Sequence, residues 1–115
     1  MRRGEICLVD LDPVRGAETN KRRPAVIVSN DGANSSAAHL GHGVITVVPV
    51  TSNTERVYPF QVLLPAKATG LDRDSKAQAE QLRSVAIERL GRRVGVLTPE
   101  LIAALDEAMR LHLAL

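Results

Sequence analysis

Arg23 stands directly before Pro24 and a short apolar run, Ala25 to Val28, so its guanidinium sits where a loop becomes a strand. A strand end fixes a side chain more tightly than a loop does, and a fixed guanidinium can stabilise charge that develops on a phosphate during its transfer. Glu18 precedes it by five residues in the stretch Gly16-Ala17-Glu18-Thr19-Asn20-Lys21-Arg22-Arg23. A carboxylate and guanidinium groups so spaced suit an anionic substrate, or else a plain surface ion pair. A second polar cluster, Thr51-Ser52-Asn53, follows an apolar strand interrupted by Pro49. Its hydroxyls and amide can grip phosphate or base edges, and the same residues also build ordinary turns. In a third cluster, Glu80-Gln81-Leu82-Arg83-Ser84, Glu80 and Leu82 alternate with Gln81 and Arg83.

Other chemistries find little support. His39 and His42 lie two residues apart, His112 is remote, and no carboxylate or thiol has ligand spacing to them, so no metal or other cofactor is expected. Cys7 lies within an apolar alternation, where a small filler outweighs a reactive thiol. Walker-type phosphate loops and GxSxG elbows are missing from the sequence.

The elements that must position these groups fit one domain, residues 1–115, with an apolar share of 44% for its core. Glu5 to Leu11 alternates as a strand buried unequally on its two faces. Asp12 to Arg22 has no hydrophobic period and reads as a surface loop. Ala25 to Val28 reads as a central strand, Ala33 to Gly43 as at most one loose helical turn, and Val44 to Val50 as the strongest strand, ending or bulging at Pro49. Phe60 to Leu64, Lys76 to Leu82 and Arg93 to Leu97 complete the strands, with room for a short helix over Val85 to Leu90. Strands joined by short turns, without βαβ alternation, point to an antiparallel barrel. At the C-terminal end Thr98 can cap a helix, with Pro99 and Glu100 in its first turn. Leu101, Ile102, Leu105, Met109 and Leu113 form its apolar stripe.

The formal charge is only +2, but Lys21, Lys67 and Lys76 are the only lysines among 15 basic residues. Arginine holds phosphate bidentately where lysine gives a point charge. Tyr58 and Phe60 are the only aromatic residues, too few for a base-stacking platform of the RRM or OB kind. A single cysteine and the lack of an apolar run of ~18 residues suggest a cytoplasmic protein without a membrane span.

Five matches occur in order along the chain. They are Gly-Glu-Ile-x-x-Val-Asp-Leu-Asp-Pro at Gly4 to Pro13, Gly16-x-Glu18, Arg23-Pro24-Ala25-Val26, Val48-Pro49-Val50-Thr51-Ser52, and Glu80-Gln81-x-Arg83-Ser84. Together they resemble the MazF/PemK toxins of type II toxin–antitoxin systems. The resemblance implies an SH3-like barrel with a C-terminal helix, paired into a homodimer, that cleaves single-stranded RNA as an mRNA interferase without a metal or cofactor. The ribose 2′-hydroxyl would attack the adjacent phosphorus, leaving a 2′,3′-cyclic phosphate and a 5′-hydroxyl. Position by position it implies catalytic roles for Arg23 and Thr51, and for Glu18 as base or as a group orienting Arg23. Asn30, Ser75, Glu80, Gln81 and Arg83 match RNA-contact positions, with Ser52 and Asn53 added by proximity. It also implies a MazE-like antitoxin as partner. Cys7 departs from an aromatic position, and Gln78 and Glu80 replace an arginine and aspartate of some relatives. Two rivals remain at this point: a gyrase-inhibiting toxin of the same fold, and a non-catalytic barrel that binds RNA or a peptide.

Overall fold

Alternation along the chain sets the architecture of this computed structural model, which describes residues 1–11 and 22–115. Strand β1 (Glu5–Asp10) turns Ile6 toward one apolar cluster and Cys7 and Val9, followed by Leu11, toward another. The same division runs through β2 (Arg22–Ile27), where Val26 opposes Ala25 and Ile27, and β3 (Val44–Thr51), where Val48 and Val50 oppose Ile45 and Val47. A sheet buried on both faces results, as the unequal alternation of β1 predicts.

The remaining strands are β4 (Gln61–Leu64), β5 (Ser75–Gln78), β6 (Arg83–Ala86) and β7 (Leu90–Val96). Their order is β4-β5-β3-β2-β1-β7, with β6 also on β3, and the described pairings are all antiparallel. Strand β3 is shared along its length: Val44 to Val47 pair with β6, and Val50 and Thr51 with β5. Pro49 therefore neither ends nor bulges the strand, contrary to expectation. It pairs with Ala25 of β2 and falls on the other edge between the two ladders, where a missing N–H costs no ladder bond.

Two helices cover the two faces. Helix α1 (Asp31–Leu40) is longer than the single turn expected. Asn30 caps it by accepting from the Ala33 N–H at 2.8 Å, and Gly41, at φ 71°, closes it. Fully buried Asn34 donates to the Ser29 carbonyl at 2.9 Å, and Ser29 Oγ accepts from the Thr46 N–H at 3.1 Å, which ties α1 to β3. The short α2 (Ala66–Thr69) precedes β5. Helix α3 (Pro99–Leu113) is capped by Thr98, whose Oγ1 accepts from the Leu101 N–H at 3.2 Å. Leu101, Ile102, Leu105 and Met109 pack on the sheet as expected, joined by Ala108, but Leu113 remains exposed. The expected strand from Lys76 to Leu82 breaks at Ala79–Gln81 into a 3-10 turn. A second such turn, Ile87–Arg89, takes the place of the expected short helix, and β7 begins at Leu90 rather than Arg93. Among the described residues no helix is long and apolar enough to cross a membrane.

Candidate active site

An open groove of about 760 Å³ is lined by residues of β1, β2, β3 and β7 together with the turn at 70–73. Arg23 and Thr51 sit two residues beyond the Ala25–Pro49 pair on their respective strands, and both line the groove together with Ser52 and Ser75. Four expected site residues, separated by up to half the chain, are thereby brought to one surface. Arg23 is exposed, lines the groove, and has no partner among the described residues. Thr51 Oγ1 accepts from the Asn53 N–H at 3.3 Å, which orients the hydroxyl and leaves its proton to be donated. Buried Ser75 donates from Oγ to the Arg73 carbonyl at 3.1 Å.

The other expected residues lie elsewhere. Asn53 shapes the turn after β3, its Oδ1 accepting from the Glu55 N–H at 3.2 Å. Asn30 caps α1 beyond the opposite end of β2 from Arg23. Glu80 and Gln81 occupy the 3-10 turn between β5 and β6, where Glu80 Oε2 accepts from Gln61 Nε2 at 2.6 Å and Gln81 is exposed. Arg83 Nη1 donates to the Leu11 carbonyl at 2.9 Å, at the edge of the segment 12–21. Glu18 lies within that segment, outside the described residues.

The sequence reading passed over three residues of the lining: Arg73, two residues before β5, and Arg92 and Arg93, which form the far wall on β7. An arginine doublet at the start of an expected strand was the available signal. Arg93 is held by Glu5, with Nη1 to Oε2 at 3.0 Å. Burial works to raise the Glu5 pKa, but hydrogen bonds from the Arg2 N–H and from Arg93, with the nearby amino-terminal charge, outweigh it and hold the carboxyl below its ordinary value. Tyr58 and Phe60 stack on each other, with centroids 5.3 Å apart, and the Arg56 guanidinium lies 5.7 Å from the Tyr58 centroid. Cys7 is buried, and burial pushes its thiol pKa up, in keeping with a core filler. Among the described residues no group of three or more His, Cys, Asp or Glu is placed to hold a metal ion.

A model of the PemK-like, MazF-like toxins of type II toxin–antitoxin systems matches residues 2–113. The chain belongs to this PemK/MazF family. It is 65% identical over 115 residues to the endoribonuclease MazF9 of Mycobacterium tuberculosis (strain ATCC 25618 / H37Rv), covering 100% of this chain and 98% of that protein. It is also 31% identical to the endoribonuclease EndoA of Bacillus subtilis (strain 168), with 100% and 96% of the two chains covered. Among solved structures it resembles a MazE–MazF complex of Deinococcus radiodurans with a TM-score of 0.79, at 25% identity and covering 100% of this chain and 96% of that one. The M. tuberculosis toxin MazF-mt6 gives a TM-score of 0.77 at 26% identity, covering 96% and 97%. The antiparallel sheet with its C-terminal helix is the MazF fold, as the ordered motifs implied.

Proposed function

We propose that this endoribonuclease toxin of the PemK/MazF family cleaves single-stranded RNA in the groove between β2, β3 and β7, with Arg23 and Thr51 at the scissile phosphate. The observation that carries the reading is the convergence of Arg23 with Thr51 and Ser52 on one open surface. The ribose 2′-oxygen forms a bond to phosphorus while the bond from phosphorus to the 5′-oxygen breaks. The 2′-hydroxyl proton passes to a base, and the leaving 5′-oxygen gains a proton, giving a 2′,3′-cyclic phosphate and a 5′-hydroxyl. Arg23 stabilises the charge gathered on the phosphorane oxygens, where a preformed donor works best. Thr51 donates its hydroxyl proton to a non-bridging oxygen. Ser52 and Ser75, on the same lining, contact the strand beside the cut. Glu18 either takes the 2′-hydroxyl proton or orients Arg23.

The chain acts as a homodimer on cytoplasmic mRNA and is restrained by a MazE-like antitoxin. The likeness to the D. radiodurans MazE–MazF complex and the arginine-rich groove, which suits an acidic tail, support that pairing. The test is the variant Arg23→Ala/Thr51→Ala on a long single-stranded RNA. Removing preorganised donors at a reacting oxyanion costs on the order of a hundredfold to a thousandfold, so cleavage should fall by at least that while the melting temperature stays unchanged. Full cleavage by the double variant would overturn the assignment.

A further inference from the structure

Four arginines, Arg23, Arg73, Arg92 and Arg93, line the groove, against one carboxylate among its lining residues, Asp72. Arg23 stands on β2, on the wall carrying Thr51, and Arg73 stands two residues before β5, whose Lys76 pairs with Thr51. Between that wall and β7 runs β1, which pairs with β2 through Leu8 and Pro24 and with β7 through Cys7 and Arg93. Strands β2 and β7 are thus two strand spacings apart, about 10 Å. A guanidinium can cross that gap, since Arg22 of β2 brings Nη1 within 2.7 Å of where a Cβ on Gly91 would lie. Arg23 and Thr51 already hold one phosphate from the β2 side, however, which leaves Arg92 and Arg93 on β7 placed for a neighbouring one along the same strand.

The far wall is also built to present charge. The pairing of β1 with β7 is irregular between Cys7 and Val9, opposite Arg93 and Leu90, so the ladder bulges beside Leu8, where Gly91 and Arg92 follow Leu90. A Cβ on Gly91 would come within 2.9 Å of the Leu8 carbonyl, so the bulge brings the two backbones into close approach. Arg92 lies within this bulge of β7, and its side chain is exposed. Arg93 is 63% exposed yet not loose, because Glu5, itself only 13% exposed, accepts one hydrogen bond from it. That bond uses one of five guanidinium donors and leaves the others for a second anion. A carboxylate that fixes a guanidinium before the ligand arrives lowers the ordering cost of binding.

We propose that Arg92 and Arg93, the latter held ready by Glu5, bind the RNA phosphate next to the scissile one and set the grip on the strand rather than the chemistry. This rests on the reading of the groove as an RNA-cutting site. It adds that the substrate must extend across β1 to β7, so a dinucleotide that reaches only Arg23 and Thr51 should be held poorly.

The experiment compares the full chain with Arg92→Gln/Arg93→Gln and with Arg92→Lys/Arg93→Lys. One readout is fluorescence anisotropy with a mixed-sequence 2′-O-methyl RNA oligonucleotide, which cannot be cut. The other is steady-state cleavage of a long RNA. Each phosphate contact in single-stranded binding contributes ~0.7 to the slope of log affinity against log salt, so the Gln pair should flatten that slope by about 1.4 if each arginine neutralises one charge. Its Kd and KM should rise about tenfold or more, kcat should stay within about twofold, and the Lys pair should keep most of the slope. An unchanged slope and Kd in the Gln pair would overturn the proposal, as would a collapse of kcat with KM unaltered. If the Gln pair flattens the slope as predicted but the unaltered chain cuts no RNA, the cleavage reading fails while the wall stands.

Discussion

Gly95 on β7 is the position where packing and the groove are most tightly linked. It pairs with Ile6 of β1, and a Cβ there would meet the Thr69 carbonyl oxygen at 2.8 Å, Ile6 Cδ1 at 3.2 Å and Leu71 Cδ2 at 3.4 Å. The first contact is with backbone. An ordinary carbon–oxygen approach is about 3.3 Å or more, so in Gly95→Ala the carbonyl must retreat by about 0.5 Å. It cannot do so alone. Thr69 is buried, its Oγ1 donates to the Pro65 carbonyl at 2.9 Å and accepts from the Leu71 N–H at 3.3 Å, and the Gly70 N–H donates to the Ala66 carbonyl at 2.9 Å. The turn therefore moves as a unit and carries Leu71, Asp72 and Arg73 of the groove wall with it. Overpacking of this kind costs about 1–3 kcal/mol, against a gain of roughly 0.4–1 kcal/mol from restricting the unfolded chain. The net loss of about 1–2 kcal/mol should lower Tm by roughly 4–10 °C for a domain of this size. Because a 1 Å misplacement can cost a hundredfold in rate, a shift of about half that should slow cleavage about tenfold. Circular dichroism melts and cleavage assays well below both transitions read the two effects. Wild-type Tm and rate in Gly95→Ala would refute the reasoning.

Thr98→Ala removes the cap of α3 and should cost about 1 kcal/mol, lowering Tm by several degrees, with Thr98→Ser largely restoring it. Glu5 has a folded pKa held below its ordinary value near 4.5. Its contribution to stability is therefore present above that pH and lost as pH falls through the folded value. The stability gap between the unaltered chain and Glu5→Gln, followed by urea melts from pH 7 downward, should shrink below about pH 4.5, and a gap that widens there would contradict the assignment. The proposed attack by the ribose 2′-hydroxyl needs only hydrogen-bond donors and proton transfer, so cleavage of a long RNA should survive excess chelator at its full rate. Loss restored by added metal would point to other chemistry.

The strands that alternate cleanly, β1 and β3, and the capped stripe of α3 were legible because burial imposes their period on the residues themselves. Helix α1 was not, since its Asn, Ser and Gly content carries little apolar period. It is made by the Asn30 and Gly41 caps and by a buried polar residue, Asn34, whose side chain bonds Ser29 in the loop before the helix. The break after β5 was hidden for a related reason: Glu80 looks like one side of a strand until its bond to Gln61 is seen. In the candidate site, Arg23, Thr51 and Ser75 were named from the family resemblance and Ser52 by proximity, and all four line one groove, whereas Arg73, Arg92 and Arg93 join it without any such signal. Asn30 and Arg83 matched RNA-contact positions yet have local tasks, a helix cap and a bond to the Leu11 carbonyl.

The most direct measurement of the central claim uses an RNA that the toxin cuts at a mapped position and the same RNA with a single 2′-deoxy sugar 5′ to the scissile phosphate. Attack by the 2′-hydroxyl predicts that the substituted strand still binds with unchanged Kd but is not cut there, while the unmodified strand yields a 2′,3′-cyclic phosphate. Cleavage of the deoxy-substituted strand at the same bond would contradict it.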